Sequence, residues 1–307
     1  MITYALRRVL LAIPIVLLTI TVCFFILRLA PGGPFDGERA LPVNVLRNLR
    51  AHYNLDQPLI VQFFIYLGGV LQGDFGPSMV MEDFTVSRLL AIGLPFTLTL
   101  GFSAFVIGTV AGFIAGALAA VNQNKWPDYL LVFVVLLPLI IPNFLMANLA
   151  QLLFGVYLHW LPVGGYRPGQ IINLVMPVII LSLPHGARVA RLVRGSMIEV
   201  LGTNYIRTAR SKGLGPALIL TRHAIKPALL PVVSYLGPGL SYLLTGSLVV
   251  EQVFALPGIG KYFITAALNR DYGLVLGTTI LYVFIILALN LIVDILYAYL
   301  DPKVRLR

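Results

Sequence analysis

Six long runs of this chain are almost free of charge: residues 9–27, 94–121, 129–153, 171–187, 228–250 and 274–297. A helix needs about 20 apolar residues to cross a hydrocarbon core about 30 Å thick. In lipid, only helices and closed barrels satisfy every backbone polar group. The chain is therefore expected to be an all-α, polytopic membrane protein with six transmembrane helices. Composition agrees: 59% of the 307 residues are hydrophobic and 11% charged, against roughly 25% charged in soluble domains. The first run is too long and too weakly bounded for a cleaved leader, and no small-residue cleavage motif follows it. The fourth is the shortest and holds Pro177 and Pro184, and the sixth carries Asp294 near its end.

Between the first two runs lies a polar segment, residues 31–93. Val43, Leu46, Leu49 and Tyr53 recur at helical spacing after Pro42, read as the first helical residue. Residues 59–71 are apolar but short. Both stretches are expected as helices at or above the membrane surface. With the N-terminus inside, fourteen Lys and Arg fall on the inner side and eight on the outer. Much of the outer set sits in the one long loop, which weighs little. The positive-inside rule then places both termini in the cytoplasm. This also accounts for the net charge of +10 without a nucleic-acid partner.

Ala104, Gly108, Gly112 and Gly116 form a small-residue stripe on the second span, which lets another helix approach closely. The fifth span contains Pro231, Gly237, Pro238, Gly239 and Gly246. It is open to two readings, a packing distortion or a bent, pathway-lining helix. Catalytic motifs are missing. No phosphate loop, nucleophile elbow or metalloprotease motif occurs, the four histidines are scattered, and Cys23 is the one cysteine. No metal, cofactor or enzymatic activity is expected. The spans also lack the ionisable residues of an ion-coupled carrier, so transport energy must come from a partner.

That partner is sought at residues 188–226, which carry eight basic residues and one acid, Glu199. Asn204 reads as an N-cap, residues 205–212 as two helical turns, and Gly213 as a left-handed C′ residue. By composition alone the segment is a topology-setting basic loop; as a capped helix it is also a docking surface. The run Arg207-Thr208-Ala209-Arg210-Ser211-Lys212-Gly213, followed by residues 223–231 (HAIKPALLP), resembles the "EAA" loop of binding-protein-dependent ABC importers. Arg207 and Thr208 stand where the general pattern has Glu and Ala, a departure usual in the peptide-permease branch. Leu6-Arg7-Arg8, Arg28-Leu29-Ala30-Pro31-Gly32, Gly73-Asp74-Phe75-Gly76-Pro77-Ser78, residues 194–200 (RGSMIEV), Leu256-Pro257-Gly258-Ile259-Gly260, Asn269-Arg270-Asp271-Tyr272 and Asp301-Pro302-Lys303 all resemble the B-type permease of oligopeptide importers.

The resemblance covers nearly the whole chain. It implies a type I ABC-importer permease in the bacterial inner membrane, one permease domain over residues 1–307. Residues 1–30 would be the first span, 31–93 an external segment, and 94–307 a five-span core with its coupling loop at 188–226. It implies a second homologous permease, two cytoplasmic ATPases, a periplasmic peptide-binding protein, and a peptide as cargo. Permeases of dipeptide and nickel importers are the alternative within the family. Tyr205, Arg207, Ala209, Arg210, Lys212 and Gly213 would couple to the ATPase. In the outer loop 251–272, Glu251, Pro257, Gly258, Gly260, Asn269 and Asp271 would form an outer gate or meet the binding protein; Pro257, Gly258 and Gly260 permit a tight turn there. A simple connector is the other reading of that loop.

Overall fold

The computed structural model describes residues 2–30, 35, 42–81, 83–167 and 169–300, with side chains from Arg8 to Val293. The sequence features at Pro31, Gly32, Asp301, Pro302 and Lys303, and the side chains of Leu6, Arg7 and Asp294, lie outside these. Among the described residues the elements are helical. They are α1 (Ile2–Leu29), α2 (Val43–His52), α3 (Leu59–Leu71), α4 (Val86–Val121), α5 (Trp126–Ile140), α6 (Asn143–Ala150), α7 (Ile172–Leu201), α8 (Asn204–Ser211), α9 (Pro216–Leu218), α10 (Ile225–Ala228), α11 (Leu230–Val253), α12 (Ile259–Leu268) and α13 (Tyr272–Leu300). Widened π turns follow α6 at Gln151–Tyr157 and α9 at Ile219–Ala224.

Five helices, α1, α4, α7, α11 and α13, are long and apolar enough to cross a membrane; a sixth crossing exists only if α5 and α6 count as one. The third apolar run is thus not straight: the pair turns by 104°. Ile141 and Pro142 are extended there, with ψ of 125° and 142°. Proline pushes the residue before it out of the helical region and lacks an N–H. Of the two readings of the fifth span, the continuous helix favours packing over a break. α11 runs unbroken through Pro238, and the fourth run continues as α7 to Leu201, well into the basic segment.

Helix starts also shift by one residue. Pro42 is the extended residue before α2, not its first helical one, and Thr203, with ψ 157°, precedes α8 in place of Asn204.

Chain contacts divide the molecule into two compact units, residues 1–96 with 257–291, and 97–256 with 292–307. In the second unit α7 is central: 67% of its apolar window is buried, against 11% for α1 of the first unit. The small-residue stripe explains the packing. A Cβ on Gly108, Gly112 or Gly116 would stand 2.7, 2.3 or 2.4 Å from the carbonyl oxygens of Ser182, Gly186 and Ala190. Two four-residue stripes, one on each helix, thus meet backbone to backbone. Gly237 and Gly239 of α11 admit Val293 and His185 in the same way; these glycines serve close packing. His185 is fully buried, within 2.9 Å of the Thr109 hydroxyl through Nε2 and 3.4 Å of the Tyr235 hydroxyl through Nδ1.

In the first unit, Phe24 of α1 packs edge-on against Phe63 of α3. Gly93 lets α4 approach the Ile259 N–H to 3.0 Å from where its Cβ would be.

Candidate coupling surface and outer loop

α8 is a short helix seated on three buried residues, Ile206, Ala209 and Ile219, with Leu214 packed against them. Its end is closed by a paired backbone motif. The Gly213 N–H donates to the Arg210 carbonyl at 2.9 Å, and the Leu214 N–H reaches the Ala209 carbonyl at 3.3 Å. Gly213 has φ +79°, the left-handed conformation that a side chain resists. The apolar contact of Leu214 across the last turn completes the motif.

Of the six residues assigned to coupling, Tyr205, Arg207, Arg210, Lys212 and Gly213 are exposed and share the outward side of this segment with Thr208 and Ser211. Ala209 is not exposed. It is 6% accessible and packs inward, so the close approach its small size permits is to Ile206 and Ile219 of this chain. Ile206 and Ala209 lie three apart on one face of α8, and Ile219, returning after the turn, covers that face. Tyr205 reaches back through its hydroxyl to the His223 carbonyl, at 3.5 Å.

The outer loop behaves differently. Glu251, Gly258, Gly260 and Asp271 are buried, Pro257 is half-buried, and Asn269 alone of the six is exposed. Gly258 is extended at φ −98°, so no left-handed turn exists there. Its backbone carbon lies 3.2 Å from where a Cβ on Gly93 would stand, so it is Gly93 that must be small here. Asp271 organises its unit. Its Oδ2 accepts from the Ser78 hydroxyl and from the N–H groups of Met79 at 3.1 Å and Val80 at 3.3 Å; its Oδ1 accepts from the Leu274 N–H at 3.0 Å and caps α13. Within this chain Gly258, Gly260 and Glu251 are taken up in packing, and Asp271 in capping. What remains outward is Gln252, Ala255, Lys261 and residues 267–270.

Sequence reasoning missed an ion pair. Asp128 at the start of α5 accepts from Arg194 of α7 through both oxygens, at 2.7 and 2.8 Å, and also from the Asn124 N–H at 3.0 Å. Asp128 is 1% accessible and Arg194 31%. The partners are 66 residues apart, so no local pattern reveals the pair; only their assignment to one membrane side hinted at it. A second missed feature is a cavity of about 410 Å³ in the second unit. The α5–α6 break, Pro184, Arg188, Tyr242, Gly246 and Val249 line it. The Arg188 guanidinium sits 4.0 Å over the Tyr242 ring.

Two family models cover the chain. Residues 108–306 match the binding-protein-dependent transport system inner membrane component, and residues 1–101 match the N-terminal membrane component of the same systems. The chain belongs to this family. Among relatives, the oligopeptide transport system permease protein OppB of Haemophilus influenzae is 48% identical over 305 residues, 99% of this chain and 100% of that one. OppB of Escherichia coli strain K12 is 48% identical over 306 residues, again 99% and 100%. The dipeptide transport system permease protein DppB of Bacillus subtilis is 40% identical over 95% of this chain and 94% of its own. Among solved structures, an inward-facing form of the MetNI methionine ABC transporter matches with a TM-score of 0.57 and 19% identity, over 70% of this chain and 97% of that chain. The fold of this family member is that of ABC-importer permeases.

Proposed function

We propose that this chain is one of two permease subunits of an ATP-driven importer of oligopeptides. The observation that carries the proposal is 48% identity across the full length of an oligopeptide permease. Identity to the Bacillus subtilis dipeptide permease is 40%, which keeps a dipeptide cargo as the second reading. An extracytoplasmic binding protein delivers the peptide, and two cytoplasmic ATPases supply the energy that this chain's residues do not.

In this reading the exposed side of α8, with Tyr205, Arg207, Arg210 and Lys212, docks on an ATPase, and Gly213 fixes the angle at which the helix leaves. Both termini are placed in the cytoplasm, a reading that the fourteen-to-eight distribution of Lys and Arg supports. ATP-driven closure moves α8, and the bundle switches between inward- and outward-facing states, a bistable element biased by ligands elsewhere. The cavity at the α5–α6 break supports a pathway along α11. Asn269 is the proposed contact for the binding protein, and the buried glycines beside it form the floor of the outer gate.

The test is reconstitution with the companion permease, the ATPases and the binding protein in vesicles. ATP-dependent uptake of labelled tri- to pentapeptides is expected. Uptake of dipeptides alone would move the cargo to the second reading. Equal uptake with the ATPases left out would end the importer account.

A further inference from the structure

The first unit holds a cavity of about 260 Å³, apart from the coupling helix and the α5–α6 break described above. Its walls include Arg28, His52, Gln62, Ile65, Tyr66 and Asp74. Arg28 belongs to the last turn of α1, where the apolar run ends; with α1 as the first span, a placement taken from the proposed function, the cavity lies at headgroup depth in the leaflet opposite the N-terminus. An arginine at this depth ordinarily reaches outward to water or phosphate. Arg28 instead turns inward. Its guanidinium is held between two rings, 5.4 Å from the Phe24 centroid and 5.6 Å from the Tyr272 centroid. Ring faces attract the cation but leave its in-plane N–H donors pointing elsewhere.

Three polar atoms here are buried without a hydrogen-bond partner among the described residues: Arg28 Nε, Tyr66 Oη and Gln62 Oε1. Gln62 is 7% accessible. Its amide nitrogen is spent on the carbonyls of Gln57 at 2.7 Å and Leu55 at 3.3 Å, which fixes the amide so that the oxygen is the free end. Such an atom is costly unless something meets it. Two of the three can donate, and the third only accepts. Asp74 adds a carboxylate, one oxygen of which already takes the Gly76 N–H at 2.9 Å. The set therefore fits a small zwitterion: an anion for Arg28 and Tyr66, and beside it a group bearing N–H donors for Gln62 and Asp74.

We propose that this cavity binds the phosphoethanolamine headgroup of a membrane lipid. The phosphate accepts from Arg28 Nε–H and the Tyr66 hydroxyl, and the ammonium donates to Gln62 Oε1 and the Asp74 carboxylate. The lipid source follows from the surroundings. Ile65 both lines the cavity and is 50% accessible, on an outward apolar face of α3 that it shares with Ile60 and Phe64. Ile26 and Leu29 at the end of α1 are 62% and 70% accessible. Acyl chains have apolar surface to lie on where the headgroup enters. A peptide offers the same two end charges but no use for these faces. Quaternary ammonium has no N–H, so phosphatidylcholine cannot satisfy Gln62.

The test is native mass spectrometry of the whole importer, purified with its partner subunits after exchange into equimolar phosphatidylethanolamine and phosphatidylcholine. One phosphatidylethanolamine should be retained in preference to phosphatidylcholine by about tenfold, the worth of one charge-assisted hydrogen bond. Arg28→Gln removes a phosphate contact and should lower retention of phosphatidylethanolamine about tenfold. Tyr66→Phe keeps the ring and removes only the hydroxyl, an unpartnered group in this structure, and it should weaken retention about tenfold, as expected for a hydrogen bond donated to a charged phosphate. Equal retention of the two lipids, or parental retention in both variants, overturns the proposal. So does release of the lipid by millimolar trialanine, which would make the site a peptide's. Soluble glycerophosphoethanolamine binding as tightly as the lipid would overturn the lipid source.

Discussion

Segments 204–213 and 257–272 are both polar connections between apolar helices, both glycine-bearing, and both flagged by sequence as surfaces for partners. They fold in opposite ways. The first stands on three buried aliphatic side chains and leaves Arg207, Arg210 and Lys212 in the open. The second is drawn inward until Gly258, Ile259, Gly260 and Asp271 are buried. The difference lies in hydrogen-bond capacity. A carboxylate accepts several bonds at once, and backbone N–H groups near helix starts supply donors locally, so Asp271 can be buried at a profit to its own unit. A guanidinium or ammonium only donates. A cluster of them finds no acceptors inside one chain and is left outside, available to acids on another.

The comparison breaks first at Asp271. Asp271→Ala orphans the buried Ser78 and Leu274 donors and the half-buried Met79 N–H together, and unsatisfied buried groups cost about 1–3 kcal/mol each. A loss of at least about 3 kcal/mol is expected, seen as a steep fall in thermal stability in detergent. Ser211→Ala, on the exposed segment, should leave the same melting curve unmoved.

Asp128→Ala comes next. Breaking a fully buried pair costs about 3–5 kcal/mol, and the 31% accessibility of Arg194 lets water share that charge, so about 2 kcal/mol is expected. Restoring the melting temperature with Arg194→Leu added would show that the penalty is the stranded cation.

Gly213→Val should cost about 1–2 kcal/mol of backbone strain while the protein still inserts in the membrane. Peptide uptake and ATPase co-purification should both fall sharply. Ala209→Glu should abolish uptake by a different route, since its carboxylate would unseat α8 from Ile206 and Ile219. Normal uptake by both variants would reduce this segment to a topology anchor. Smallest of all, Arg207→Ala removes one rim charge worth about 0–1 kcal/mol; co-purified ATPase should drop mildly, and more so at low salt.

Much of this architecture is legible in the sequence because lipid imposes a coarse rule: long apolar runs become helices. The runs holding α1, α4, α11 and α13, the short α2 and α3, and the left-handed Gly213 follow from pattern and turn chemistry. The small-residue stripe announced a close helix contact but not its partner, since the matching Ser182, Gly186 and Ala190 are embedded in an ordinary apolar run. The 104° turn was hidden because Pro142 is one of 20 prolines, several of which, like Pro238, pass inside helices unbroken. Burial of Asp271 and of Ala209 was illegible for a further reason. Each depends on contacts set by tertiary placement: Ser78 lies 193 residues from Asp271, and Ile219 reaches Ala209 only after the chain has turned at Gly213.

The central claim is that the exposed side of α8 meets an ATPase on the cytoplasmic side while Asn269 faces the opposite side. A single cysteine at Ser211 or at Asn269, in a Cys23→Ala background, tests it in the assembled importer with a membrane-impermeant thiol reagent and a short bifunctional crosslinker. The account predicts that the Asn269 position labels from outside intact cells and never crosslinks to an ATPase, whereas the Ser211 position labels only after permeabilisation and crosslinks to an ATPase subunit. Labelling of both positions from the same side, or absence of any ATPase crosslink from the Ser211 position, would contradict it.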